Sequence, residues 1–204
     1  MTYSALNERS VPFYLYRFRQ FVHRLQSFTQ HVDKPLLEKR PDESSWTIAE
    51  CFSHIVNTDH SYLAPLEKAI DEQSDAHKRV KDYETGFHQR FWIRWFIWLM
   101  EPPARLHFKA PRKFGPERGI SAGNAIEQLF QVEKEIIELI KNHERMDWSA
   151  VKHSPPIIPL LKLNASETLS LLEAHQRRHL QQAIEIHRKL LLDYQTLPHR
   201  TIFD

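Results

Sequence analysis

LLEAHQRRHLQQAIEIHRKLL, residues 171–191, is the stretch on which the fold turns. Its charges and amides mark a soluble helix. At about 100° per residue, a stripe centred on Leu172 takes in Leu169, Ala183, Ile186 and Leu190 within roughly 60°. His175 and His179 fall on the same stripe, while Glu173, Arg177, Arg178 and Lys189 mostly point elsewhere. Imidazole carries polar nitrogens that cost free energy when buried without partners. Two of them on the core face of one helix need an explanation.

The chain has 204 residues, enough for one domain with a real core, or one with a sizeable insertion. We expect a single helical domain over 1–204 with an inserted segment at about 71–120. Apolar residues make up 41% and charged residues 26%, as in soluble globular proteins. A formal net charge of +2 gives no electrostatic reason to expect nucleic acid. The single cysteine, Cys51, excludes an internal disulfide framework and fits a reducing cytoplasm. MTYSALNERSVPFY lacks the basic and apolar regions of a signal peptide, so a cytoplasmic location is expected. FWIRWFIWLM (91–100) is too short to span a bilayer and contains Arg94, so it reads as a buried helix, with no membrane partner.

Only four glycines occur, and no run of alternating β-branched residues appears, so helical signals dominate. Tyr14, Phe18, Phe21, Leu25 and Phe28 mark one face of a helix over about 8–32. Pro41 in KRPDESSW interrupts regular structure, and Thr47 with Glu50 then forms a capping box for a second helix over 47–70. Ile48, Phe52, Ile55, Tyr62 and Leu66 supply its core face. An aromatic-rich helix is expected over 84–100, ended by Pro102 and Pro103. RLHFKAPRKFGPERGISAGN reads as a long irregular connection. Ser121 can cap a helix over 122–145 built on Ile126, Leu129, Phe130, Ile136, Ile137 and Ile140. The prolines of HSPPIIPLL (153–161) require extended chain. Asn164 and Glu167 repeat the capping-box spacing and open the last helix, 165–195. Four long amphipathic helices imply an all-α fold, a four-helix bundle, with the 84–100 helix in a long crossover between helices two and three. Long loops in compact domains often shape a site.

A His-x-x-x-His pair puts two rings on one helix face about a turn apart, within reach of one metal ion. With 13 histidines in the chain, about one such pair arises by chance, so location rather than spacing gives it weight. Either the pair is hydrogen-bonded within the core, or it ligates a metal such as zinc or nickel. A third ligand would come from another helix. His54 lies on the edge of the second helix, about 120° from the centre of its apolar face and beside Cys51 and Thr58. His60 is a weaker rival, and His187 lies too far along its own helix.

WTIAECFSHI, with Trp46 opening a helix and His54 eight residues later, resembles the first signature of the DinB/YfiT-like metalloprotein superfamily. EAHQRRHLQQAI resembles its second signature, two histidines separated by three residues. FKAPRKFGP and SPPIIPLLKLNASETL resemble the loops before the family's third and fourth helices, and the likeness covers nearly the whole chain. It implies a four-helix bundle holding a divalent metal on His54, His175 and His179, which makes the second and fourth helices neighbours. It also implies several activities for one site. Some relatives are transferases or isomerases that use a low-molecular-weight thiol activated at the metal; others are described as metal-dependent hydrolases.

The expected function is thus a metal-dependent transferase using a small thiol. The rivals are a hydrolase using metal-activated water and a non-catalytic metal-binding bundle in a stress response. Cys51 reads better as a small buried hydrophobe than as a ligand. Arg177 and Arg178 either attract an anionic substrate or form a solvated face. Trp92, Trp95 and Trp98 either line a pocket, pack the inserted helix or meet a second copy in a homodimer. Asp59 or Glu173 is a candidate to orient a ligand histidine through its second nitrogen.

Overall fold

The computed structural model describes residues 10–73, 80, 86–101, 114–156 and 160–196, with side chains to residue 192. Helix α1 (Val11–His31) starts where Ser10 Oγ accepts the Phe13 N–H, with Pro12 in the first turn. It buries Tyr14, Phe18, Phe21 and Leu25. A one-turn helix, α2 (Lys34–Leu37), follows and was not foreseen. Helix α3 (Ile48–Glu72) opens with the expected reciprocal cap: Thr47 Oγ1 accepts the Glu50 N–H at 3.0 Å, and Glu50 Oε2 accepts the Thr47 N–H at 3.1 Å. Helix α5 (Ala122–Asn142) starts on Ser121. Helix α6 (Ala165–Thr196) starts on the Asn164–Glu167 pair, whose two bonds measure 2.9 and 3.0 Å.

Helix α4 (Phe91–Met100) is shorter than the 84–100 expected. Residues 86–90 are not helical because their polar groups bond sideways instead of along a helix. The Gly86 carbonyl accepts from Ser149 N–H, the His88 carbonyl from Asn164 Nδ2, and the Arg90 N–H donates to Glu167. Residues 84 and 85, Pro102, Pro103 and residues 105–113 of the long connection lie outside the described residues. The flanks of the proline-rich lead-in form a two-residue antiparallel pair, β1 (Lys152–His153) with β2 (Leu163–Asn164), and residues 157–159 of the stretch expected to be extended lie outside the described residues.

The structure is an all-α four-helix bundle with α4 outside it, packed against α6 and burying Ile93, Ile97 and Met100. The order of helices around the bundle is unusual. α1 packs on α5 and α6, and α3 also packs on α5 and α6. Helices consecutive in sequence, α1 with α3 and α5 with α6, therefore face each other across the diagonal, whereas a simple up-and-down bundle makes them neighbours. The core between them includes Phe18, Leu25, Phe52, Ile55, Leu129, Ile136, Trp148 and Leu169, all essentially fully buried. Each such side chain contributes about 1.5–3 kcal/mol by leaving water.

Candidate metal centre

With two flanking helices, α3 buries a wide arc, not a narrow stripe. The edge bearing Cys51, His54 and Thr58 is buried at 0, 4 and 4% exposure. That edge faces α6, so the boundary position of His54 is the position that meets the α6 histidines. The helices run in opposite directions. His54 lies opposite His175 and His179, Asp59 bonds Gln176, and Gln73 at the far end bonds Lys152, whose strand partner leads into α6.

His54, His175 and His179 each offer a ring nitrogen, and these atoms all lie within 4.8 Å of one another. The ring centroids are separated by 5.0 Å (His54–His175), 4.5 Å (His54–His179) and 4.4 Å (His175–His179). His54 and His175 meet Nε2 to Nε2 at 3.2 Å. Two nitrogens bound to one tetrahedral ion at ordinary bond lengths stand about 3.3 Å apart.

In two of the three rings the outer nitrogen fixes the tautomer. His54 Nδ1 donates to the Phe114 carbonyl, so its proton sits there and the Nε2 lone pair faces its neighbours. His179 Nδ1 meets Gln182 Oε1 at 2.9 Å and leaves Nε2 free in the same way. His175 Nδ1 is buried without a hydrogen-bond partner. Phe114 is held in place by its neighbours: Asn57 Nδ2 donates to the Gly115 carbonyl, and the Glu117 N–H donates to Ser53 Oγ. Trp46 flanks the cluster, its ring 5.0 Å from His54 and stacked on His179 at 6.1 Å and 26°.

All three imidazoles are held neutral. Burial pushes His179 down to about 3, and it lowers His54 against the opposing pull of the Phe114 carbonyl. His175 lies well below the ordinary histidine range, through burial first and then the charges of His179, His54 and Arg178. Neutral imidazole is the form that ligates a metal. Three neutral nitrogen donors, two with bonded outer nitrogens, match the donor set and outer shell of a three-histidine site.

The remaining candidates fall elsewhere. Asp59 bonds Gln176, and Glu173 bonds Arg17 and Arg177, so neither orients a ligand histidine; a backbone carbonyl and Gln182 have that place. Gln182 was legible as the residue one turn beyond His179, whereas a carbonyl leaves no mark in a sequence. Arg177 is tied to Glu101 and Glu173. Arg178 lies near enough for its charge to oppose protonation of His175 and His179. Burial raises the Cys51 thiol far above its usual range, as befits a small core residue. His60 pairs with Glu135 on the surface, and His187 packs edge-on against Phe28. Trp92, Trp95 and Trp98 are 42–55% exposed, and the side chains that α4 buries are Ile93, Ile97 and Met100.

Three neutral histidines gathered from two antiparallel helices form a donor set that could hold a divalent metal ion. The sequence matches the DinB superfamily over residues 17–183, and the chain belongs to that family. Among solved structures it is similar to YfiT from Bacillus subtilis, described as a probable metal-dependent hydrolase with an unusual four-helix bundle topology. The TM-score is 0.56 at 9% identity, covering 93% of each chain, a likeness of fold. No curated protein matches the chain in sequence. No helix among the described residues is long and apolar enough to cross a membrane.

Proposed function

We propose that this chain is a divalent-metal-dependent enzyme, a transferase acting with a low-molecular-weight thiol, with His54, His175 and His179 holding zinc or nickel. The observation that carries this reading is the convergence of the three imidazoles within 4.8 Å, His54 and His179 with their outer nitrogens engaged. When bound, the ion supplies Lewis acidity that lowers the pKa of a coordinated water or thiol and polarises a carbonyl.

The protein's own part is to hold the rings, keep them unprotonated and wall off one side with Trp46. The carboxylates on neighbouring turns are engaged away from the imidazoles: Glu50 by Arg40 and Arg118, Glu173 by Arg17 and Arg177, and Asp59 through one oxygen by Gln176. A water nucleophile benefits from a nearby general base. A thiol, ordinarily ionising near about 8.5, depends on one far less. That favours the thiol. Arg178 beside the site suits a substrate carrying negative charge.

A second reading, hydrolysis by metal-activated water, is favoured by the likeness to YfiT. Protein purified without chelator should contain close to one zinc or nickel per chain by elemental analysis. It should then be assayed with a panel of small thiols and electrophiles beside ester and amide substrates. Turnover of thiol and electrophile supports the transferase, and ester or amide cleavage alone supports the hydrolase. A metal-loaded chain inactive on both panels returns the reading to a non-catalytic bundle.

A further inference from the structure

Two acidic side chains occupy core stripes of neighbouring helices. Asp59 lies on α3 between Ile55 and Tyr62, and Glu133 on α5 between Leu129 and Ile136; both are at 0% exposure. Gln176 on α6 is equally buried and donates from Nε2 to Asp59 Oδ2 at 2.7 Å. That bond satisfies one oxygen. Asp59 Oδ1, both carboxyl oxygens of Glu133 and Gln176 Oε1 have no hydrogen-bond partner.

The two carboxyls are near enough for the charge of Asp59 to act on Glu133, yet no hydrogen bond joins them. Among the described residues the side chains that act on them are Gln176 for Asp59 and Asp59 for Glu133. Left alone, burial pushes Asp59 up to about 8 and Glu133 well above the carboxylate range. Buried carboxylates without a partner are among the costliest groups in a core and persist where a cation or proton compensates them.

We propose that Asp59, Glu133 and Gln176 form a second cation site, separate from the imidazole cluster, that takes a hard divalent ion of the magnesium, manganese or calcium class. The donors are all oxygen, which selects against the borderline metals that imidazole prefers. Two carboxylates balance one divalent charge. The unpartnered oxygens come from α3, α5 and α6, so an ion there ties three of the four bundle helices together. The Gln176 N–H bond to Asp59 Oδ2 leaves Oδ1 as the ligating oxygen.

The test uses the full chain, stripped of metal by chelator under denaturing conditions and refolded with one equivalent of Zn2+ to fill the histidines. Mn2+ is then the probe, present during refolding because the site is enclosed. Electron paramagnetic resonance should report one immobilised Mn2+ per chain. Glu133→Gln and Asp59→Asn should each weaken Mn2+ binding at least about tenfold, with Zn2+ content and helical circular dichroism retained. Should one variant fail to fold, the other decides. The proposal is overturned if wild-type protein binds no immobilised Mn2+, or if binding survives both substitutions. It is equally overturned if Mn2+ is absent and infrared spectra show a protonated-carboxyl band that disappears in Glu133→Gln. The pair would then be neutral acids solvated by buried water.

Discussion

His54 and His175 face each other across the α3–α6 seam with their Nε2 atoms 3.2 Å apart, although 121 residues separate them in the chain. At that distance either the His175 Nε2–H donates to the His54 Nε2 lone pair or a cation lies between two unprotonated nitrogens. The relationship makes metal content the primary observable for this protein.

His179→Ala removes one of three nitrogens and should lower metal affinity by more than about 100-fold, beyond what loss of an outer-shell partner costs. The bundle has its own apolar core, so the variant should remain folded, destabilised by roughly 1–3 kcal/mol. Metal analysis and a circular dichroism melt check both halves. A variant unfolded at room temperature would make the site structural. One that is folded, fully loaded and equally active would make His179 an ordinary core histidine.

Gln182→Leu tests the outer shell. The substitution keeps the side chain's bulk but removes the acceptor that fixes the His179 ring. Metal affinity should fall by about 10–100-fold while the melting temperature of the metal-free protein changes little. An unchanged affinity would show that the ring is oriented by stacking on Trp46 instead.

Thr47→Ala removes the cap of the helix that carries His54. The loss should cost about 1–2 kcal/mol in chemical denaturation, in the upper part of the range for such caps because the bond is buried. A denaturation midpoint indistinguishable from wild type would mean that Glu50, anchored by Arg40 and Arg118, holds the turn without it.

Acid sensitivity should be traceable to Glu167. Burial alone would raise its carboxyl, but bonds from the Arg90 side chain, the Arg90 N–H and the Asn164 N–H outweigh burial and hold it below the usual range. A depressed folded-state pKa gives stability that is present above the unfolded value, near 4.5, and is lost as pH falls through the folded value. Wild-type stability should therefore decline below about pH 4.5, and Glu167→Gln should flatten that limb. Arg90→Ala, which leaves Glu167 buried with fewer donors, should cost about 1–3 kcal/mol at neutral pH. A Glu167→Gln acid limb as steep as wild type would place the sensitivity on other carboxylates.

Much of this architecture is legible in the residues. Thr47 with Glu50, Ser121, and Asn164 with Glu167 mark three helix starts because each side chain serves its own backbone, a local bond that a local pattern reveals. His175 and His179 stand out for a similar reason: one helix carries both. His54 is different. A helical wheel assigns one centre to the buried face, whereas α3 is covered from two sides, so an apparent edge residue is interior. The start of α4 was misplaced because residues 86–90 bond to partners far away in sequence. Glu133 reads as a surface charge on any polar count, and only the packing of α3, α5 and α6 reveals its enclosure.

The diagonal order of the helices has a kinetic consequence. Neighbouring α-helices in most small bundles form contacts soon after each hairpin emerges, and such local topologies fold fast. Here the first two long helices touch chiefly helices made later, α5 and α6. His54 meets His175 and His179 only after α6 has been synthesised. Until then a lone imidazole on α3 is a poor trap for stray ions. The three imidazoles are thus brought together only once α6 has been made, when geometry as well as affinity can discriminate between ions.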